Sequence, residues 1–422
     1  MASEKQIFAA VEAADHEIRL IVGEFFNTRF NIIKVERVAC GGMALNKVTD
    51  PEAVTKAVRT AAEDIKRMLG AEVQKVILAI PSFRFKRYSC KSTVDVEGID
   101  GVVTIQDVRN AIKKAQSTEI GRQYALIQTV CVKYTVNGIS TRRIPIGDKC
   151  AQLTVDIDLL CADRQLAYDL VTCIENANLK VMDIFLDVYG VGKESALLQQ
   201  AIDHQVIILK MEREGTTLGL LRNGRLTTAL VTGIGLGTIA SAVADQYGIR
   251  TDMAVELLKY SVVLNQEKCS QNPVHIWAVD GETRTINEQE LVDCVRPGIN
   301  SWIQTIQKTC GPILQAGKTT VMITGEGGET QGLDALLQTA LGVPVSCYIP
   351  ETLGGRNAGL TACLGLFYAY QDKLPITGQP DDSLDMDAFI KAVSYRDKKS
   401  DGSREDTLTN KLRGLFSEGK RN

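Results

Sequence analysis

The sequence predicts an α/β protein built from two related halves, and three patterns predict it. Residues 7–80 read as three hairpin-forming strands, a helix and a buried strand, and residues 206–231 begin a similar succession again. Between them, residues 88–160 read as a strand-helix-strand-strand run, the pattern of a compact insertion. Halves that both open with hairpin strands and continue into helices imply a duplicated architecture with a cleft between them.

In order along the chain, Ile7–Val11, Glu17–Gly23 and Phe30–Val35 are short apolar strands forming an antiparallel meander. After the turn residues Thr49-Asp50-Pro51, Val54, Val58, Ala61, Ala62, Ile65 and Leu69 recur at helical spacing, and Val76–Ile80 is a buried strand stopped by Pro81. The insertion comprises Tyr88–Val96, a helix over Thr104–Gln116, then Tyr124–Val136 and Ala151–Leu160. Thr104 and Asp107 stand at capping-box spacing, where each satisfies the other's backbone donor. Arg84–Arg87 is a charged edge that discourages strand pairing, or else a contact to an acidic neighbour. Leu166, Leu170, Ile174 and Ala177 then form one helical stripe before the strand Val181–Leu186.

The second half opens with Val206–Lys210, Thr217–Leu221 and Arg225–Val231, the last two joined by the hairpin signal Asn223-Gly224. A second insertion between about 237 and 287 contains small helical pieces and the strand Val274–Val279. Asn287 with Glu290 caps a helix that Pro297-Gly298 would kink, and Thr320–Thr324 runs into the turn Gly325-Glu326-Gly327-Gly328. Such a glycine cluster is either a phosphate cradle or a turn requiring positive φ.

Composition narrows the function. Lys and Arg number 48 against 51 Asp and Glu, so no global basic field exists to attract nucleic acid. Eleven cysteines without C-x-x-C spacing read as reduced cytosolic core residues rather than metal ligands. No run approaches the length of a spanning helix, and the N-terminus lacks a signal-peptide pattern. His16, His204 and His275 are the only histidines, and none stands in a catalytic pattern.

After about Leu374 the chain turns polar, as a flexible tail does, but it ends in a pattern. Leu408, Leu412, Leu415 and Phe416 make one apolar helical stripe, with Lys411, Arg413, Lys420 and Arg421 around it. Docking on the protein's own core is one reading. The long polar tether favours the other, an interfacial hook for an anionic leaflet. Each apolar side chain contributes ~1 kcal/mol and each basic residue another ~1 kcal/mol. So weak an anchor gains from many copies side by side.

Several short runs in this order resemble FtsA, the actin-like protein of the bacterial divisome. They are Leu20-Ile21-Val22-Gly23-Glu24, Arg143-Ile144-Pro145-Ile146-Gly147, Gly215-Thr216-Thr217 with Arg222-Asn223-Gly224, Thr324-Gly325, and Ala362-Cys363-Leu364-Gly365-Leu366. The resemblance covers nearly the whole chain. It implies an actin-like (ribonuclease H-like, duplicated) ATPase fold with an inserted SHS2 domain, 1C, and a C-terminal amphipathic helix. Subdomain 1A would span 5–82 and 164–202, the SHS2/1C insertion 83–163, 2A 203–236 and 292–373, and 2B 237–291. A flexible linker at 374–403 and a membrane-targeting helix at 404–422 would follow.

The family's nucleotide loops depart from their usual residues here. The first hairpin reads Glu12-Ala13-Ala14-Asp15-His16-Glu17, without the usual glycine and lysine, and Asp15 and Glu17 would repel a polyphosphate. The second reads Lys210-Met211-Glu212-Arg213-Glu214-Gly215, with Lys210 at the metal-linked Asp position. The adenosine loop carries Gly325-Glu326, and its helix reads Gly298 and Ser301. Glu12, Asp15, Lys210, Gly215, Thr216, Gly325, Gly327 and Gly328 are therefore the remnants of a nucleotide site. Weak, metal-free ATP binding, with Lys210 in place of magnesium, stays open. The resemblance further implies an FtsZ tail bound by 2B, self-association or a co-polymer with another FtsA, other divisome partners on 1C, and a place at the septum on the cytoplasmic face of the membrane. A pilus-assembly relative of the PilM kind, or a kinase or ATPase of the actin and Hsp70 superfamily, is the alternative.

Overall fold

The computed structural model describes residues 6–26, 29–266, 269–279, 281–378 and 382–392. The first half contains β1 (Gln6–Ala13), β2 (Glu17–Phe26), β3 (Arg29–Ala39), the small ribbon β4 (Met43–Ala44) and β5 (Lys47–Val48), α1 (Pro51–Leu69) and β6 (Lys75–Ile80). Asp50 caps α1 by accepting from the Glu52 and Ala53 amides, and Gly70 at φ 76° ends it. The inserted module follows as β7 (Lys86–Asp95), α2 (Ile105–Gln116), β8 (Tyr124–Val136), the short β9 (Ile139–Thr141) and β10 (Gln152–Asp163). The capping box expected at Thr104 and Asp107 is present. The chain returns through α3 (Arg164–Asn176) to β11 (Lys180–Leu186), then α4 (Asp187–Glu194) and the single turn α5 (Leu197–Gln200).

The second half repeats the plan with β12 (Gln205–Met211), β13 (Thr216–Arg222) and β14 (Arg225–Thr232). Helices α6 (Leu236–Tyr247) and α7 (Thr251–Tyr260) and the hairpin β15 (Pro273–Val279) with β16 (Glu282–Asn287) come next. Then α8 (Glu288–Leu314), β17 (Thr319–Thr324), α9 (Leu333–Leu341), β18 (Val345–Cys347) and α10 (Thr361–Thr377) complete it. Each half has a five-stranded sheet, in the orders β11-β6-β1-β2-β3 and β14-β13-β12-β17-β18. In both, a three-strand antiparallel meander is joined by two parallel strands, which is the internal duplication seen in three dimensions. The inserted module is a separate four-stranded sheet, β7-β10-β8-β9, with its own small core under α2.

Helices α4 and α10 carry the connection between the halves. Their backbones touch: a Cβ on Gly365 would lie 1.8 Å from the Gly190 carbonyl oxygen, and one on Gly190 2.5 Å from that of Ala362. Only glycine permits that approach.

One expectation needs correction. The polar segment from 374 begins as ordered chain: α10 continues to Thr377, and the Ser383 backbone bonds to Ile7 and Gln74 at the end of the first sheet. Leu384 is buried there, and a helical turn over 386–392 packs Met386 and Phe389 on the core. Apolar residues spaced among acids hold this stretch down. The helix α8 is continuous through both Pro297 and Pro312, so neither proline ends it. The terminal stripe Leu408, Lys411, Leu412, Arg413, Leu415 and Phe416 lies outside the described residues.

Candidate functional site in the cleft

The β1–β2 turn of the first half and the β12–β13 turn of the second face each other across the cleft, so residues almost two hundred positions apart meet. Among the expected residues, Glu12, Asp15 and Lys210 do come together, and they are buried. Lys210 Nζ bonds Glu12 Oε1 at 2.5 Å and Asp187 Oδ2 at 3.0 Å, with Glu212 Oε1 at 3.7 Å. Asp187, at the start of α4, is fixed by accepting from the Ser82 amide and hydroxyl and from the Val188 amide through its other oxygen. Asp15 Oδ2 accepts the Glu214 amide at 2.9 Å.

At the centre stands Arg19, from β2, with no exposed surface. Its Nη1 and Nη2 bond the two oxygens of Glu212 at 3.0 and 2.8 Å, a fork-to-fork pair across the cleft. Its Nε bonds Glu17 at 2.7 Å, and Nη1 also reaches the Gly359 carbonyl at 2.6 Å and Glu12 at 3.4 Å. Glu17 receives a second fork from Arg37, both bonds at 2.9 Å. Beside this network Arg213 pairs with Glu326, at 3.1 and 2.7 Å, and with Asp252.

The electrostatics follow from this packing. Burial alone would raise both Glu17 and Glu212, yet Arg19 and its cationic neighbours hold each down to about 2. At Asp15 burial, and then the Glu212 charge, outweigh the Glu214 amide and the Lys210 charge and push it up to about 6. Burial lowers His16, which sits 3.6 Å from Glu17 and 3.5 Å from Glu326 with neither ring nitrogen hydrogen-bonded. Lys210 and Arg19 are shifted upward by surrounding carboxylates that outweigh their desolvation.

The remaining expected residues are engaged by the chain itself. The Thr216 hydroxyl accepts from Trp302 Nε1 at 2.9 Å and donates to the Ile234 carbonyl at 2.7 Å. Gly325, at φ 76°, leaves room only for Met211, whose carbonyl oxygen would lie 2.6 Å from an added Cβ, and on Gly327 that Cβ would meet the Met211 sulfur at 2.4 Å. Gly215 and Gly328 abut the Thr232 carbonyl and the Ala358 side chain at 2.8 and 3.1 Å by the same measure. These glycines make space for the protein's own backbone and side chains. Three central residues, Arg19, Asp187 and Glu212, were not predicted as a site. The available signal is an arginine between Ile18 and Leu20 in a strand that is otherwise apolar from Ile18 to Gly23.

Comparison with known proteins places the fold. Residues 84–161 match the model of the SHS2 domain inserted in FtsA. The chain is 20% identical to cell division protein FtsA of Bacillus subtilis (strain 168), over 86% of this chain and 83% of that one. To FtsA of Enterococcus hirae it is 20% identical over 97% and 98%, and to that of Escherichia coli (strain K12) 20% over 84% and 86%. Among solved structures, a chain of the PilM-PilN type IV pilus biogenesis complex superposes with a TM-score of 0.57 at 14% identity, over 86% of this chain and 98% of that one. MreB5 of Spiroplasma citri bound to ADP gives 0.51 at 11%, over 88% and 99%.

Proposed function

We propose that this chain, a divergent FtsA relative with the SHS2 insertion on an actin-like body, is a non-enzymatic divisome adaptor that works with weak or no ATP binding. The observation that carries this reading is the cleft: where an actin-like ATPase needs space and positive charge for a polyphosphate, buried side chains of both halves are paired to each other. In this role the region at 237–291 grips the FtsZ tail, and the Leu408–Phe416 stripe holds the filament to the inner face of the membrane at the septum. Among the described residues no helix is long and apolar enough to cross a membrane, as suits a peripheral attachment. Other division proteins and further FtsA copies would meet the inserted module. It borders a cavity of about 920 Å³ whose lining includes Arg109 and Lys113 of α2, Gln128 of β8 and Lys373 of α10.

Calorimetry with ATP, with and without magnesium, tests the cleft: no binding tighter than about 1 mM is expected. A submillimolar affinity would sink the nucleotide-poor reading. The membrane role is tested separately by Leu412→Glu, which places a charge in the apolar stripe and should abolish co-pelleting with anionic vesicles. Pelleting equal to that of the unaltered protein would overturn the hook reading.

A further inference from the structure

We infer that Arg19 is a built-in ligand of the cleft: its guanidinium fills a cage of Glu12, Glu17, Glu212 and the Gly359 carbonyl and bolts the two halves together. This extends the reading that the cleft does without nucleotide. It does not depend on FtsZ or the membrane.

The bolt is defined by its geometry. The Arg19 backbone belongs to the first sheet, paired with Glu12 on β1 and Arg37 on β3. Its fork ends on Glu212 and on Gly359, both beyond the cleft in the second half of the sequence. The cage supplies planar acceptors to every guanidinium nitrogen: Glu17 to Nε, Glu212 to both terminal nitrogens, and the Gly359 carbonyl to Nη1. A guanidinium satisfies such a set, whereas an ammonium, being a point donor on a shorter stem, does not. Contacts beside it run the same way across the gap. Lys210 bonds Glu12, Asp15 accepts from the Glu214 amide, the Leu45 amide donates to Glu214 at 3.1 Å, and Asn46 bonds Thr217 at 3.1 Å. Arg19 is the most enclosed of these groups, and it alone carries an entire delocalised cation into the centre.

The cage therefore has a chemical specificity that can be exposed. Truncating the side chain leaves a guanidinium-sized space lined by acceptors, so free guanidinium should re-enter it. In Arg19→Ala, amide hydrogen exchange at Met211–Gly215 and Ala358–Leu360 is expected to rise about tenfold or more as the halves loosen. Adding ~20 mM guanidinium chloride, far below its denaturing range, should restore protection, and matched potassium chloride should not. Unchanged exchange in Arg19→Ala, or loosening that guanidinium and potassium affect alike, overturns the proposal. Should Arg19→Ala fail to fold, Arg19→Lys decides: it keeps the charge, loses the fork to Glu212, and should raise exchange at Met211–Gly215 without response to guanidinium. Exchange equal to that of the unaltered protein would overturn the bolt. Because no nucleotide, FtsZ or lipid is present, this experiment and the adaptor reading can fail independently.

Discussion

Lys210→Met should be among the most damaging single changes in the cleft, lowering stability by about 3–5 kcal/mol and the thermal midpoint by roughly 5–10 °C. Methionine nearly preserves the volume, so the cost is electrostatic. Among the described residues Lys210 is the only cation bonded to Asp187 and, at 2.5 Å, it is the near partner of Glu12, and all three groups are almost entirely buried. Without it, two desolvated carboxylates face each other and Glu212 beside them. Intact buried pairs are weak evidence of stability, because desolvation offsets their attraction, but one stripped of its partner retains the desolvation cost alone. The sharper check is therefore a cycle: adding Glu12→Gln to Lys210→Met removes an orphaned charge and should recover part of the loss. If Lys210→Met melts within about 1 °C of the unaltered protein, the network does not hold the halves together.

Much of the fold was legible in the sequence, and the misses have physical causes. The meanders, the capping boxes at Thr104 and Asn287, and the Asn223-Gly224 hairpin rest on local chemistry, and all appear where predicted. Strand β16 was missed because its Glu282–Thr285 stretch is exposed and polar, with no alternation to read. The docked stretch at 382–392 reads as linker because Leu384, Met386 and Phe389 stand among acids, and only the tertiary surface reveals that they are covered. In the cleft, the loss of phosphate-binding residues was visible as a substitution pattern, while the replacement was not. Arg19 and Glu212 lie 193 positions apart, and a lone arginine in a strand does not announce its partner.

Acid should dismantle the same network, in a window that the shifted carboxylates define. Glu17 and Glu212 are held at about 2 against an ordinary 4.5, so their contribution is complete above pH 4.5 and is lost as pH falls toward 2. Asp15 acts oppositely: raised from 3.8 to about 6, it favours the fold below pH 3.8, and that contribution disappears as pH rises through 6. His16, lowered by burial, favours the fold above 6.5 and less so as pH falls. Asp15 and His16 thus change in opposite senses as pH falls below about 6.5, and the loss from the Arg19 carboxylates sets in as they take up protons below 4.5. Glu212→Gln isolates that step, since a protonated Glu212 and a glutamine are alike in charge. The variant should be less stable than the parent at pH 7 by on the order of 3 kcal/mol. Because the Glu212 charge also helps hold Asp15 up at about 6, the gap should widen modestly as pH falls from 7 to 5 and then shrink steadily below 4.5 as the parent loses the same charge. A gap that remains constant to pH 3 in thermal melts would mean that Glu212 is not held down by Arg19, and one that closes already between pH 7 and 5 would mean that Asp15 and His16 govern the cleft.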